Sequence, residues 1–199
     1  MKRLLLLGLL TGALGSASAN PYVGAAIGSG QYKSDCQGIS TCDLRDTVIK
    51  LYAGQRVNEW VSAEAAFIRF GKAKASGPVD IDGQDVNIDD LTQRAQAFVL
   101  AAAFRHEFVP GLQGVARIGA AVVHGKTSAT LTIVGDPADG QVLRVSESET
   151  TVRPYVGLGL SYRVLPNLQA TLDYDRTSFS VSDDTDSVDA WMIGAAYQF

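Results

Sequence analysis

The chain has 199 residues, 46% of them hydrophobic and 19% charged, with 17 basic against 21 acidic side chains for a net charge of -4. That length suits one domain, and the absence of any basic run excludes a protein built to track a nucleic-acid backbone. Downstream of the amino-terminal segment nothing approaches 18 consecutive apolar residues, which excludes a helical membrane protein but leaves a soluble β-sandwich open.

The first segment is Met1-Lys2-Arg3, an apolar run from Leu4 to Leu14, and the small residues Gly15 to Ala19. A basic end, about a dozen apolar residues and an Ala17-x-Ala19 site predict a secretory signal peptide over residues 1–19, too short to span a bilayer. Its removal takes Lys2 and Arg3, leaving 15 basic against 21 acidic residues in a single domain, residues 20–199. Export to an oxidising compartment predicts a disulfide between Cys36 and Cys42, worth about 2 kcal/mol because the closed loop is short. A metal site would need more ligands than that segment offers.

From Tyr22 onward, side chains alternate along eight segments with the period of a strand. Strand one, Tyr22 to Tyr32, sets Val23, Ala25 and Ile27 against Tyr22, Gly24, Ala26 and Gly28. Strand two, Thr47 to Arg56, sets Ile49, Leu51 and Ala53 against Lys50, Tyr52 and Gly54. Strand three, Trp60 to Phe70, sets Val61, Ala63, Ala65 and Phe67 against Ser62, Glu64 and Ala66. Strand four, Ala95 to Arg105, opposes Phe98, Leu100, Ala102 and Phe104 to Val99, Ala101, Ala103 and Arg105, although its apolar run alone also fits a buried helix. Strand five, Leu112 to Val123, places Arg117 opposite Ala116, Ile118, Ala120 and Val122. Strand six, Val152 to Arg163, alternates Val156, Leu158, Leu160 and Tyr162 with Tyr155, Gly157, Gly159 and Ser161. Strand seven, Leu168 to Arg176, alternates Leu168, Ala170, Leu172 and Tyr174 with Gln169, Thr171, Asp173 and Asp175. Strand eight, Val188 to Phe199, carries Trp191, Ile193, Ala195, Tyr197 and Phe199 on one face and small residues on the other.

Long polar connections at 33–46, 71–94, 124–151 and 177–187 alternate with short ones at 56–59, 106–111 and 164–167. Outer-membrane barrels pair short periplasmic turns with long outside loops, and an open sheet edge in hydrocarbon would leave backbone groups unpaired. The predicted fold is therefore all-β: an eight-stranded antiparallel up-and-down transmembrane β-barrel. It is expected to be monomeric, in the outer membrane of a Gram-negative bacterium, with both termini periplasmic. A soluble sandwich would instead bury Leu158, Leu172 and Ile193 and expose Glu64 and Arg117.

Several stretches resemble the transmembrane domain of OmpA-like outer-membrane proteins. They are Tyr22-Val23-Gly24-Ala25 with Gly28 and Gln31-Tyr32, then Gly54 to Val61 leading to Glu64, Phe67 and Gly71. Later come Leu112 with Ala116-Arg117-Ile118-Gly119, Leu172-Asp173-Tyr174 and the aromatic carboxyl end. Larger members of that family append a peptidoglycan-binding domain; with the chain ending at Phe199, that anchoring role is not expected.

An eight-stranded bore is just wide enough to be filled by side chains. Alternation points Lys50, Glu64, Arg105, Arg117, Arg153, Asp173 and Asp175 into a cramped polar lumen, where enclosed charges must pair. Glu64, Arg117 and Asp173 are the best candidates for an internal ion-pair network. The resemblance implies that such a network plugs the bore and opens it by rearranging; Ala103, Ser161 and Thr171 stand where that pattern leads one to expect charged partners. Aromatic girdles are predicted from Trp60, Phe104, Tyr162, Tyr197 and Phe199 at the periplasmic side and Phe67, Phe98, Tyr174 and Trp191 nearer the outside.

No cofactor, metal or catalytic residue is expected. His124-Gly125-Lys126-Thr127 invites a phosphate-loop reading, but five residues rather than four separate Gly119 from Gly125. A lipopolysaccharide-modifying esterase or acyltransferase would draw on His124, Ser128 and Glu147 or Glu149, which have no recognisable spacing. His106 is assigned to the opposite end. The acidic span Asp80 to Asp90 lacks the ordered ligands of a calcium loop. Expected partners are outer-membrane lipid and lipopolysaccharide, the barrel-assembly machinery through the strand ending at Phe199, and a host or surface ligand on the loops. The expected function is envelope integrity, with a surface adhesin as the alternative and a narrow pore or an enzyme behind both.

Overall fold

The structure, a computed structural model, describes residues 20–33, 41–81, 84–133, 142–181 and 184–199. The predicted signal peptide and Cys36 lie outside the described residues. Nine strands follow in order: β1 (Pro21–Lys33), β2 (Thr41–Asp43), β3 (Arg45–Arg56), β4 (Val61–Ile81), β5 (Gln84–Val109), β6 (Leu112–Ile133), β7 (Val142–Leu165), β8 (Leu168–Val181) and β9 (Asp184–Gln198). Eight of them form an antiparallel ring in chain order, closed where β1 pairs with β9 from Tyr22↔Gln198 to Lys33↔Ser187. The ninth, β2, lies outside the ring and pairs with β4 at Lys74–Ser76, beyond the last β3 partner of β4 at Arg69. Cys42 occupies the middle of β2.

The alternation read from the sequence separates the two surfaces of the wall. Leu158 is 61% and Ile193 66% exposed, whereas Glu64 and Arg117 are 4% and 5% exposed. A soluble sandwich requires the reverse. The apolar outer band also carries Val23, Ile27, Leu51, Phe67, Phe98, Leu100 and Ile118. Transfer of such surface out of water is favourable by roughly 25 cal/mol per Å², so this wall demands an apolar solvent.

The short turns at the terminal end have local causes. Asn58 Oδ1 accepts from the backbone N–H groups of Trp60 (2.9 Å) and Val61 (2.8 Å), which reverses the chain between β3 and β4. At Pro110-Gly111 the turn needs the positive φ of Gly111, 87°.

The opposite end departs from the sequence reading. The spans 71–94 and 177–187, expected as loops, are largely strand, and the ends of 124–151 prolong their strands: β4 runs to Ile81 and β5 starts at Gln84, β6 runs to Ile133 and β7 starts at Val142, and β8 and β9 are described to Val181 and from Asp184. Backbone pairing satisfies N–H and C=O groups whatever the side chains are, and above the membrane both faces meet water. Pairing therefore continues through polar stretches such as Arg144 to Thr151 of β7, and β-branched residues remain frequent, as in Thr130 and Thr132 on one arm of the β6–β7 hairpin and Val142 and Val145 on the other.

Candidate functional site: the barrel interior

The interior is built in two layers. The layer nearer the termini is charged. Lys50 of β3 donates from Nζ to Asp175 Oδ2 of β8 at 2.7 Å and to Tyr155 Oη of β7 at 3.3 Å. Tyr155 donates its hydroxyl proton to the other carboxylate oxygen, Asp175 Oδ1, at 2.6 Å. Arg117 of β6 spans two carboxylates, donating from Nε to Glu64 Oε1 and from Nη1 to Asp173 Oδ1, both at 2.7 Å. Glu64 Oε2 accepts from the Tyr22 hydroxyl at 3.0 Å and lies 3.7 Å from Arg105 Nη2. Arg105 also donates from Nε to Ser62 Oγ at 3.2 Å and lies over the Tyr22 ring, 4.6 Å from its centroid.

Tyr52 stands between the two groups, its ring 5.4 Å from Lys50 Nζ and 5.8 Å from the Arg117 guanidinium. Lys50, Arg105 and Arg117 thus balance Glu64, Asp173 and Asp175. Buried charges are tolerable only with this degree of pairing and hydrogen bonding. Glycines make room for it: Gly157 and Gly159 face Asp175 and Asp173 across the β7–β8 ladder. A Cβ at either would meet Asp175 Oδ1 at 2.7 Å or Asp173 Oδ1 at 2.6 Å.

Arg153 shares the inward parity of Tyr155 but stands two residues further from the termini, opposite Ala121 and half-buried. Ser161 and Thr171 line a cavity of about 20 Å³ together with Arg105, Arg117 and Asp173, room for about one water molecule. Ala103 is fully buried in the wall's inner face.

The second layer is apolar, against the expectation of a polar lumen throughout. Tyr32, Val48, Ile68, Phe70, Val99, Val123, Val188 and Met192 are at most 1% exposed and fill the bore between the charged layer and the long hairpins, with Ala97, Ala121 and Ala190 among them. The Tyr32 hydroxyl donates to Gly71 O at 3.2 Å and accepts from Ala95 N at 3.0 Å, so its one polar atom is satisfied. The strand period gives the parity of these positions, but a search for inward charge passes over them. The signal is present: where both faces of a strand are apolar the alternation vanishes, as in Ala65-Ala66-Phe67-Ile68 and Phe98 to Ala103.

The residues weighed for catalysis are not assembled. His124 faces outward and its Nδ1 shares a hydrogen bond of 2.9 Å with Thr150 Oγ1, while Ser128 Oγ contacts Ser146 Oγ at 3.2 Å. Four residues along one strand put His124 and Ser128 about 13 Å apart. His106 lies at the other end, stacked on Trp60 at 5.8 Å and edge-on to Phe108 at 5.4 Å. Of the aromatics expected at the membrane interfaces, Tyr174 contacts Trp191 at 4.9 Å and Tyr197 contacts Phe199 at 5.2 Å.

No curated protein matches the sequence. Among solved structures, Neisserial surface protein A superposes with a TM-score of 0.57 at 14% identity, over 92% of this chain and 99% of that one. Ail, the attachment invasion locus protein of Yersinia pestis, gives 0.50 at 19% identity, over 91% and 97%. A major outer membrane protein from Thermus thermophilus gives 0.50 at 14% identity, over 92% and 100%. These likenesses agree on the fold. The model of the outer membrane protein beta-barrel domain matches residues 4–199, and the closed ring of strands with its apolar outside agrees with that description: the chain belongs to the outer membrane beta-barrel family.

Proposed function

We propose that the protein is a sealed, non-conducting barrel that contributes to the integrity of a Gram-negative outer membrane, with both termini periplasmic and the long hairpins outside. One observation carries this reading: any ion path must cross both the Lys50–Asp175 and Arg117-centred pairs and the apolar layer of Ile68, Phe70, Val99 and Val123 beyond them. A gate of charges alone can rearrange, but a close-packed apolar layer has no alternative partners to offer a passing ion. Purified protein in planar bilayers is expected to give no unitary conductance at any applied voltage; steady channel activity would overturn the reading. The barrel is exported by residues 1–19, stapled by Cys36–Cys42, assembled through its last strand ending at Phe199, and works as a monomer among lipopolysaccharide.

A second reading, surface binding by the outer hairpins, is favoured by the edge of β7. Residues 142–146 pair with β6 on one side and with no described strand on the other, since the β8 ladder begins at Tyr155↔Thr177. Such an edge offers backbone groups to an extended polypeptide, and Val142, Leu143 and Val145 are exposed along it. The likeness to Ail, an attachment protein by name, makes host matrix the first ligand to try. Cells expressing the protein should bind matrix, and lose that binding when the β6–β7 hairpin is shortened.

A further inference from the structure

We propose that Lys72, Arg94 and Lys126 form an outward-facing site for the phosphorylated headgroup of a glycolipid of the outer leaflet. The three residues are direct cross-strand neighbours: Lys72 pairs with Arg94 between β4 and β5, and Arg94 with Lys126 between β5 and β6. Directly paired residues of an antiparallel ladder point to the same side, and the inward neighbours Ala73, Ala95 and Gly125 are buried, so all three cations point away from the bore.

Their placement has a backbone cause. Inward parity on β4 runs through Ile68 and Phe70 and would carry Lys72 inward as well. A bulge intervenes between Arg69 and Lys72, at Gly71 with φ +79°, and turns Lys72 outward beside Arg94. Three like charges in one row destabilise a sheet unless something anionic joins them. No described carboxylate forms a salt bridge with any of the three, nor with Arg69 one row below. Acidic residues border the patch: Asp46 accepts from the Lys72 backbone N–H, Asp43 pairs with Lys74 across β2 and β4, and Glu147 and Glu149, of the opposite parity, flank Ser148, the partner of Lys126. The opposite wall differs: there the outward cations Lys33 and Arg176 both reach Asp189, at 3.0 and 3.4 Å.

Height fits a headgroup. The row Phe67↔Phe98↔Val122 is apolar, the next is Arg69↔Gln96↔His124, and the cation row follows; successive rows stand about 7 Å apart. Acyl chains against the first row would bring phosphates to the polar rows. Across the strands the three cations cover about 10 Å, and a guanidinium flanked by two ammoniums suits phosphate oxygens. This inference rests on the proposed orientation, with the hairpins outside.

The test uses refolded full-length mature barrel and native mass spectrometry of bound lipid. Wild type is expected to retain bis-phosphorylated lipid A at least tenfold more than the triple variant Lys72→Gln/Arg94→Gln/Lys126→Gln. Dephosphorylated lipid A should be held equally weakly by both, and Lys33→Gln/Arg176→Gln should behave as wild type. Equal retention by wild type and the triple variant, or tight retention of the dephosphorylated lipid, would overturn the site; unchanged heat-dependent gel mobility establishes that each variant is folded. Orientation is read separately, by labelling Ser148→Cys on intact cells with an impermeant thiol reagent in a Cys36→Ser/Cys42→Ser background. Labelling supports the outside assignment. Its absence, with binding intact in vitro, would overturn the orientation and the leaflet rather than the cation row.

Discussion

Lys50 Nζ lies 2.7 Å from Asp175 Oδ2 across the bore, both side chains fully buried and the residues 125 positions apart in sequence. Removing one member leaves the other charged in a closed, low-dielectric space. Lys50→Met is therefore expected to destabilise the barrel by about 3–5 kcal/mol, whereas Lys50→Met/Asp175→Leu should recover most of that loss. Urea unfolding in lipid vesicles, followed by the fluorescence of Trp60 and Trp191, measures both. A double variant no more stable than the single one would mean that the pair is not the relevant partner set.

Phe70 is fully buried in the apolar layer. Phe70→Ala should cost about 3–5 kcal/mol by leaving a cavity. Val123→Thr barely changes volume but places a hydroxyl among aliphatic neighbours, at about 1–3 kcal/mol if the layer is dry. A neutral Val123→Thr in the same unfolding measurement would show that water reaches this level.

Gly71 adopts φ +79° at the β4 bulge. A Cβ there would meet Asp46 Cβ and Thr47 O, each at 2.7 Å. Gly71→Val should lose about 1–3 kcal/mol through backbone strain alone, and the crowding adds to it. The variant should also weaken retention of phosphorylated lipid A, because the bulge is what turns Lys72 outward; full retention would separate the bulge from the lipid site.

Ser128 and Ser146 face each other across β6 and β7, with Oγ atoms 3.2 Å apart. Replacing residues 129–145 by Asn-Gly supplies a tight hairpin turn. The ring beneath is closed by the β6–β7 ladder and by β7–β8 from Tyr155 downward. The shortened protein should keep its heat-dependent gel shift and an unchanged unfolding midpoint, which gel electrophoresis and fluorescence check. Loss of the shift would mean that the outer sheet helps close the barrel.

Much of this was legible in the chain. Strands such as Thr47 to Arg56 and Leu168 to Arg176 face acyl chains on one side and a packed bore on the other, so the period of two appears in the order of residues, and with it the inward parity of Lys50, Glu64, Arg117 and Asp173. Alternation says which face a residue takes; it does not say at what height or against whom. The pairing of Lys50 with Asp175 rather than Asp173 follows from strand tilt and stagger around the closed ring, which no local pattern records.

Two further outcomes belonged to the tertiary structure alone. The apolar layer shows in the chain only as a loss of alternation, in Ala65 to Ile68 and Phe98 to Ala103, which gives neither its height in the bore nor its extent around it. The extent of the outer sheet is decided by backbone pairing between long polar spans that read as loops, short alternating stretches such as Ala129 to Ile133 notwithstanding. Residue order by itself determined a membrane barrel with a filled, charged interior. Ring closure, which brings distant strands to one level and lets a single bulge at Gly71 change the side a lysine takes, decided which charges meet, where the seal lies and which cations are left facing the membrane.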